Sequence, residues 1–181
     1  MAQATPTQAT KFEKLTIWNL DESEDVDIKQ GSSLQYWENL FSPTVTAKIL
    51  VTSSINVLGG QGLYYGLKLK GGEKVEIHFS TPIEQHRKKD GVFKLTLYVN
   101  GISDYVQEKQ MESFTLSLVS KEGITNLNKR VLKKYKAKKI SEIIKDFLDM
   151  IECEDIDGEI ETTANTYNFI GNMRKPLTIV P

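Results

Sequence analysis

His78, His86 and Cys153 are the only imidazole and thiol groups in the chain. Their spacing matches no zinc-ligand pattern, and a metal site built on them would have to borrow carboxylates. His78 falls on the polar side of an alternating run and reads as a surface histidine. Serines are many, but neither histidine sits in a motif that would mark it as a nucleophile's partner, so no Ser, His and Asp constellation stands out. Carboxylates crowd "DESEDVD" (21 to 27) and residues 152 to 161. Nothing distinguishes one pair of them as acid and base, and they read as solvated faces or as a negative surface that repels DNA. The glycines of "GGQGLYYG" (59 to 66) lack the Lys-Ser/Thr of a phosphate loop and precede a strand instead of a helix. No catalytic residue, cofactor or metal ion is expected.

Two segments are better suited to binding than to reaction. In "KRVLKKYKAKK" (129 to 139), Lys133, Lys134, Lys136 and Lys138 are interleaved with Val131, Leu132 and Tyr135. Such a run can follow a phosphate backbone, protect an exposed edge strand, or meet an acidic surface on a partner subunit. The near-zero overall charge favours the protein partner. Leu63, Tyr64 and Tyr65 lie in the glycine-rich segment, where large apolar side chains either fold back as core or form an interface patch. These seven residues are the candidate protein contacts. "QHRKKDG" (85 to 91) reads as a basic hairpin loop.

The elements that must position these segments are mostly strands. Period-two runs occur in "KLTIWNL" (14 to 20), "TVTAKILV" (44 to 51), "KVEIHF" (74 to 79), "VFKLTLYV" (92 to 99) and "SFTLSLVS" (113 to 120). Val75, Ile77 and Phe79 share one face, as do Phe93, Leu95, Leu97 and Val99, and Phe114, Leu116 and Leu118, the pattern of strands covered on one side. Turn signals stand at Gly71-Gly72, Asp90-Gly91 and Asn100-Gly101, the last expected to fold the chain back towards "ISDYV". "SSLQYWENLFSP" places Tyr36, Trp37, Leu40 and Phe41 at helical spacing, with Ser33 as cap and Pro43 as stop, and predicts a short helical plug. One long amphipathic helix is predicted from Ile140, Ile143, Ile144, Phe147, Leu148 and Ile151, with Ser141 as N-cap and Glu142 in the first turn.

The fold class expected is mainly β (α+β): an antiparallel, strongly twisted sheet or small barrel carrying a plug and one helix. With 181 residues, 39% of them hydrophobic, the chain can bury a real core. A net charge of −1 excludes a strongly basic nucleic-acid binder by composition. The single cysteine cannot form an internal disulfide, and the N-terminus carries neither a secretory signal nor an apolar span, so a soluble chain from a reducing compartment is expected. Residues 1–11 read as a flexible tail, 12–127 as a β-barrel domain, and 128–181 as a basic connector, a helix and the start of a following domain. The apolar "PLTIVP" ends without a closing element, which suggests the N-terminal part of something longer.

The order of these elements resembles a known family. "SLQYWENLFSPTVTAKILV", "GGEKVEIHF" and "KLTLYVNGISDYVQEKQMESFTLSLVSKEGITN", followed by a basic extension and an amphipathic helix, are similar to the N-terminal half of baseplate hub proteins of contractile-tailed, T-even-like bacteriophages and their cyanophage relatives. The resemblance runs from about Phe12 to Ile151. It implies a tail-tube-like β-barrel and a virion structural protein, a homotrimer whose ring adapts the tail tube to the central spike. Its implied partners are the spike, tail-tube or tube-initiator proteins and the tape-measure protein, with no membrane and with nucleic acid only as passing cargo. It also implies assembly in the host cytoplasm and no catalysis. "LKKYKAKK" is more basic than the resemblance requires. The rival reading is a nucleic-acid-binding β-barrel that grips single strands with residues 129–139 and its tyrosines.

Overall fold

The computed structural model describes residues 11–28, 33–39, 42, 44–80, 92–153 and 160–179. The chain divides into two compact units, Met1–Trp37 with Thr46–Leu118, and Glu38–Val45 with Val119–Pro181. The 1–10 part of the tail, the basic loop 85–91 with the Asp90-Gly91 turn, and the helix-stop Pro43 lie outside the described residues, as do acidic residues 154–159.

The larger unit is a mainly antiparallel seven-stranded sheet. Its strands are β1 (Lys11–Trp18), β2 (Asp25–Asp27), β3 (Ser33–Trp37), β4 (Thr46–Ser54), β5 (Lys74–Ser80), β6 (Val92–Glu108) and β7 (Met111–Val119), with a one-turn helix α1 (Leu63–Gly66) between β4 and β5. They pair in the order β2-β1-β5-β6-β7-β4-β3. The five alternating runs read from the sequence are all strands, and alternation sets their burial. Ile17, Ile49, Val51, Val75, Ile77, Leu97, Val99, Phe114, Leu116 and Leu118 are buried. Cross-strand partners such as Ile77 and Leu95, or Phe79 and Phe93, share the apolar face, the two phenyl rings stacking at 5.3 Å. Among the described residues no backbone pairing joins β2 to β3, so the barrel expected from the sequence is not closed by a hydrogen-bonded seam.

Two local expectations are corrected. Residues 33–37, expected to open a helical plug, form edge strand β3, with Leu34 opposite Ile49 and Tyr36 opposite Ala47. The alternation of half-buried Leu34 and Tyr36 with exposed Gln35 and Trp37 fits a strand, and β4 supplies the partner that decides it. Leu40 and Phe41 lie outside the described residues. The short helix of this unit is instead α1. Nor does Asn100-Gly101 turn the chain: β6 runs through it as one of 17 residues, because Val99 is held on both backbone groups, accepting from Gly72 N–H and donating to the Glu73 carbonyl. The chain reverses at residues 109–110, where Lys109 takes a left-handed φ of 49°. Gly71 and Gly72 do make the predicted turn, at φ 116° and 96°. The buried Glu73 carboxylate ties that turn by accepting from the Lys70 and Gly71 N–H groups.

The smaller unit comprises α2 (Lys121–Asn128), β8 (Lys134–Lys139), α3 (Ile140–Met150), β9 (Thr166–Ile170) and a last turn α4 (Pro176–Ile179). β8 and β9 form an antiparallel pair with a bulge between Tyr135 and Lys138. The predicted amphipathic helix is α3, and its Ile143 and Phe147 bury with Val131 and Tyr135, backed by Met150, Phe169 and Ile179. Ser141 is not its cap. It lies inside the first turn and bonds reciprocally with Thr163, the N–H of each residue donating to the other's hydroxyl at 3.3 Å.

Candidate interaction surfaces

Tyr64, Tyr65, Tyr105 and Phe114 form an aromatic corner in the larger unit, with ring centroids 4.9 to 6.5 Å apart. Beneath them lies Glu112, almost wholly buried on the same strand face as Phe114, Leu116 and Leu118. No cation meets it among the described residues. Instead its carboxylate accepts from the Ser53 hydroxyl at 2.9 Å, the Tyr64 N–H at 3.2 Å and the Tyr105 hydroxyl at 3.5 Å. A buried carboxylate needs such donors to offset its lost hydration. Burial, followed by the Glu112 charge, pushes the Tyr105 hydroxyl above its ordinary range and keeps it a donor. Gly62 is required here, since a Cβ would sit 2.4 Å from the Glu112 carboxylate.

Of the alternatives left open for this segment, Leu63 takes the core, fully covered within the chain. Tyr64 is half-buried, and Tyr65 keeps 58% of its surface in solvent. Glu112 was missed by sequence reasoning. The signal was present, because it stands two residues before Phe114 on the same alternation.

The basic run forms the second surface, where strand alternation divides the lysines. Lys133 lies with Val131 and Tyr135 on the side facing α3, where its Nζ contacts both Asp146 oxygens at 2.9 and 3.0 Å and stands 5.2 Å from the Tyr135 ring centroid. The Tyr135 hydroxyl donates to the same carboxylate. These bonds hold the Asp146 carboxyl below its usual range, the tyrosine's first and the lysine's second, while burial and then Asp146 push the Tyr135 hydroxyl well up. Lys138 pairs with Glu142 at 3.1 Å, one helical turn on. Lys134 and Lys136 are exposed and have no ion-pair partner among the described residues. In the shallow cleft beside β8, about 200 Å³, Lys133 meets Asp146 and Lys138 meets Glu142. Half of the four candidate lysines are therefore neutralised inside the chain, which weakens the case for a phosphate-tracking surface.

The two sheet edges differ. β2 is three residues long and carries Asp25 and Asp27, which discourages strand addition, whereas β3 presents five uncharged residues, "SLQYW". His78 sits half-buried on the polar side of β5, with Lys14 and Lys94 as its cross-strand neighbours. Among the described residues no group of three or more His, Cys, Asp or Glu is placed to hold a metal ion, and no helix is long and apolar enough to cross a membrane.

No protein-family model matches the sequence, and no curated protein matches it significantly. Solved structures do. The 43 kDa tail protein of prophage MuSo2 from Shewanella oneidensis aligns with 92% of this chain at a TM-score of 0.58 and 9% identity. The chain spans 47% of that protein's length. A component of the E. coli type VI secretion system, reported as structurally similar to T4 bacteriophage tail proteins, aligns with 97% of this chain and 40% of its own at 12% identity and a TM-score of 0.48. At 9% identity the first of these likenesses establishes architecture, and the chain has a phage tail-type fold.

Proposed function

We infer that the protein is a structural subunit of a phage tail, a baseplate hub protein whose homotrimeric ring adapts the tail tube to the central spike. The observation that carries this reading is the tail-protein fold along nine-tenths of the chain. Fold alone does not fix function, so the surfaces must agree with it. They do so in two respects. β3 is an uncharged edge open to main-chain pairing by a neighbour, and the aromatic and basic segments offer side-chain contacts rather than a reaction centre.

On this reading residues 12–127 supply the tube-like part and 128–181 open a further domain. Tyr64, Tyr65 and the lysines of β8 contribute to contacts with neighbouring copies, the spike or tube-initiating proteins, in the virion. The work is positional, sealing and bridging, with no bond made or broken.

The test is native mass by light scattering across a dilution series at moderate salt. A stable trimer supports the hub reading. A monomer at every concentration, together with no complex on mixing with tail-tube or spike proteins, removes it.

A further inference from the structure

The β8–β9 pair has two faces, and α3 covers one. Tyr135 and Phe169, cross-strand partners, point into the core with Phe147. The next pair in register, Lys134 and Ile170, points the other way. Leu132 precedes Lys134 on that outer face. Beyond β9 the chain stays alongside residues 131–133, the Gly171 N–H donating to the Lys133 carbonyl and the Met173 N–H to the Val131 carbonyl. Leu132 is 73% exposed, Met173 68% and Ile170 59%. Met173 also holds a left-handed φ of 58°, a costly conformation for a long side chain that here presents it to water. Exposed apolar side chains beside Lys134 and Lys136, which have no ion-pair partner among the described residues, have the composition of a docking site.

The same chain carries a surface of matching character and opposite sign. At the β1–β2 turn, Leu20 is 63% exposed and is followed by exposed Asp21, Glu22, Glu24 and Asp25. The turn is built and not loose: the Asn19 side chain bonds both the Ser23 hydroxyl and the Glu24 N–H, and Ser23 bonds Asp21. Glu22 is drawn to Lys74, which leaves Asp21, Glu24 and Asp25 without a cationic partner among the described residues.

We propose that the outer face of β8–β9, with Leu132, Lys134 and Ile170 at its centre, docks onto the Leu20–Asp25 turn of a second copy of this chain. Pairing two like patches would set lysine against lysine or carboxylate against carboxylate, so the charges select a head-to-tail contact over an isologous one. A head-to-tail contact between identical chains closes into a ring when its rotation permits. The proposal rests on the ring reading above and names the contact that would close it.

Sedimentation of the intact protein decides the matter, using the paired substitutions Lys134→Glu with Lys136→Glu, Asp21→Lys with Glu24→Lys, and all four together. All these side chains are exposed, and circular dichroism checks that folding is kept. Each pair alone is expected to weaken association about tenfold or more, and the fourfold variant to recover most of it. Leu132→Asp should weaken association in every background. An oligomer untouched by either pair, or not recovered by the fourfold variant, overturns this contact and leaves the ring reading standing. A wild-type monomer throughout overturns this contact, and with no complex on mixing with tail-tube or spike proteins it overturns the ring reading as well. If the Lys134 and Lys136 reversal abolishes salt-sensitive binding of a single-stranded oligonucleotide and leaves self-association alone, the face belongs to nucleic acid and the proposal fails.

Discussion

The two units each join a carboxylate to a tyrosine hydroxyl, and they satisfy it in different ways. Glu112 in the large sheet is nearly out of water and is held by a backbone N–H and two hydroxyls. Asp146 in the small unit is reached by a cation and a phenol at a partly exposed position. The first arrangement requires a rigid frame, because its donors come from three separate segments of the larger unit. The second needs only one strand and one helix, and it suits a unit whose core rests on a few aromatic side chains. Charge pairing does locally in the small unit what sheet geometry does over a longer range in the large one.

Phe147→Ala should break this comparison most severely. Phe147 is the largest fully buried side chain of the small unit, so its loss is expected to cost about 3–5 kcal/mol. Amide exchange should show protection lost from α3 and β8 and retained in β5. Gly62→Ala strikes the other unit by driving a methyl into the Glu112 carboxylate, for an expected loss of about 1–3 kcal/mol in chemical denaturation. Gly62→Ala combined with Glu112→Gln should cost less than the sum of the two single changes, since both act on one network.

A pH series sharpens the contrast. The Asp146 pKa is lowered on folding, so its contribution is complete above the unfolded value near 3.8 and is lost as pH falls through the folded value. The Tyr135 pKa is raised, so its contribution is complete below the unfolded value near 10.0 and is lost as pH rises towards the folded value. The small unit should therefore hold a stability plateau between roughly pH 4 and 10, set by these two groups. Asp146→Asn should lower the plateau by about 1 kcal/mol and flatten its acid side, read from α3 exchange at several pH values.

The smallest effect belongs to the surface of β5. Lys74 bridges Glu76 and Glu22 at 3.2 and 3.3 Å, and the Glu76 bond leads in raising its pKa. At Glu76 burial pushes upward, but Lys74 and Lys14 outweigh it. Exposed pairs of this kind contribute about 0.2–1 kcal/mol, so Lys74→Ala should move the denaturation midpoint only slightly, and less at high salt.

What the sequence made legible was whatever a single segment decides. Val75, Ile77, Phe114, Leu116 and Leu118 declare their strands by alternation, and Ile143 and Phe147 declare their helix by period. Gly71-Gly72 announces its turn. Residues 33–37 misled because two aromatic residues in succession fit either period, and the partner that settled the matter, β4, begins nine residues later at Thr46. β9 shows no alternation that would declare it, since only Phe169 of its five residues is substantially covered, and its pairing with β8 joins positions some thirty residues apart. The division of the lysines was hidden for the same reason. Which of Lys133 and Lys134 meets Asp146 depends on the side of the strand that α3 covers, and that is a tertiary fact.

The length of β6 has a mechanical meaning. Its 17 residues extend up to about 55 Å, pairing with β5 over Val92–Tyr98 and continuing alongside β7 as far as the reversal at residues 109–110. A pull along such a strand loads its bonds on both neighbours in shear, so they share the force instead of opening one at a time. Resistance then depends on the rate at which the ladder fails as a set. Pulled along β6, such a sheet stays folded through any load briefer than that failure takes.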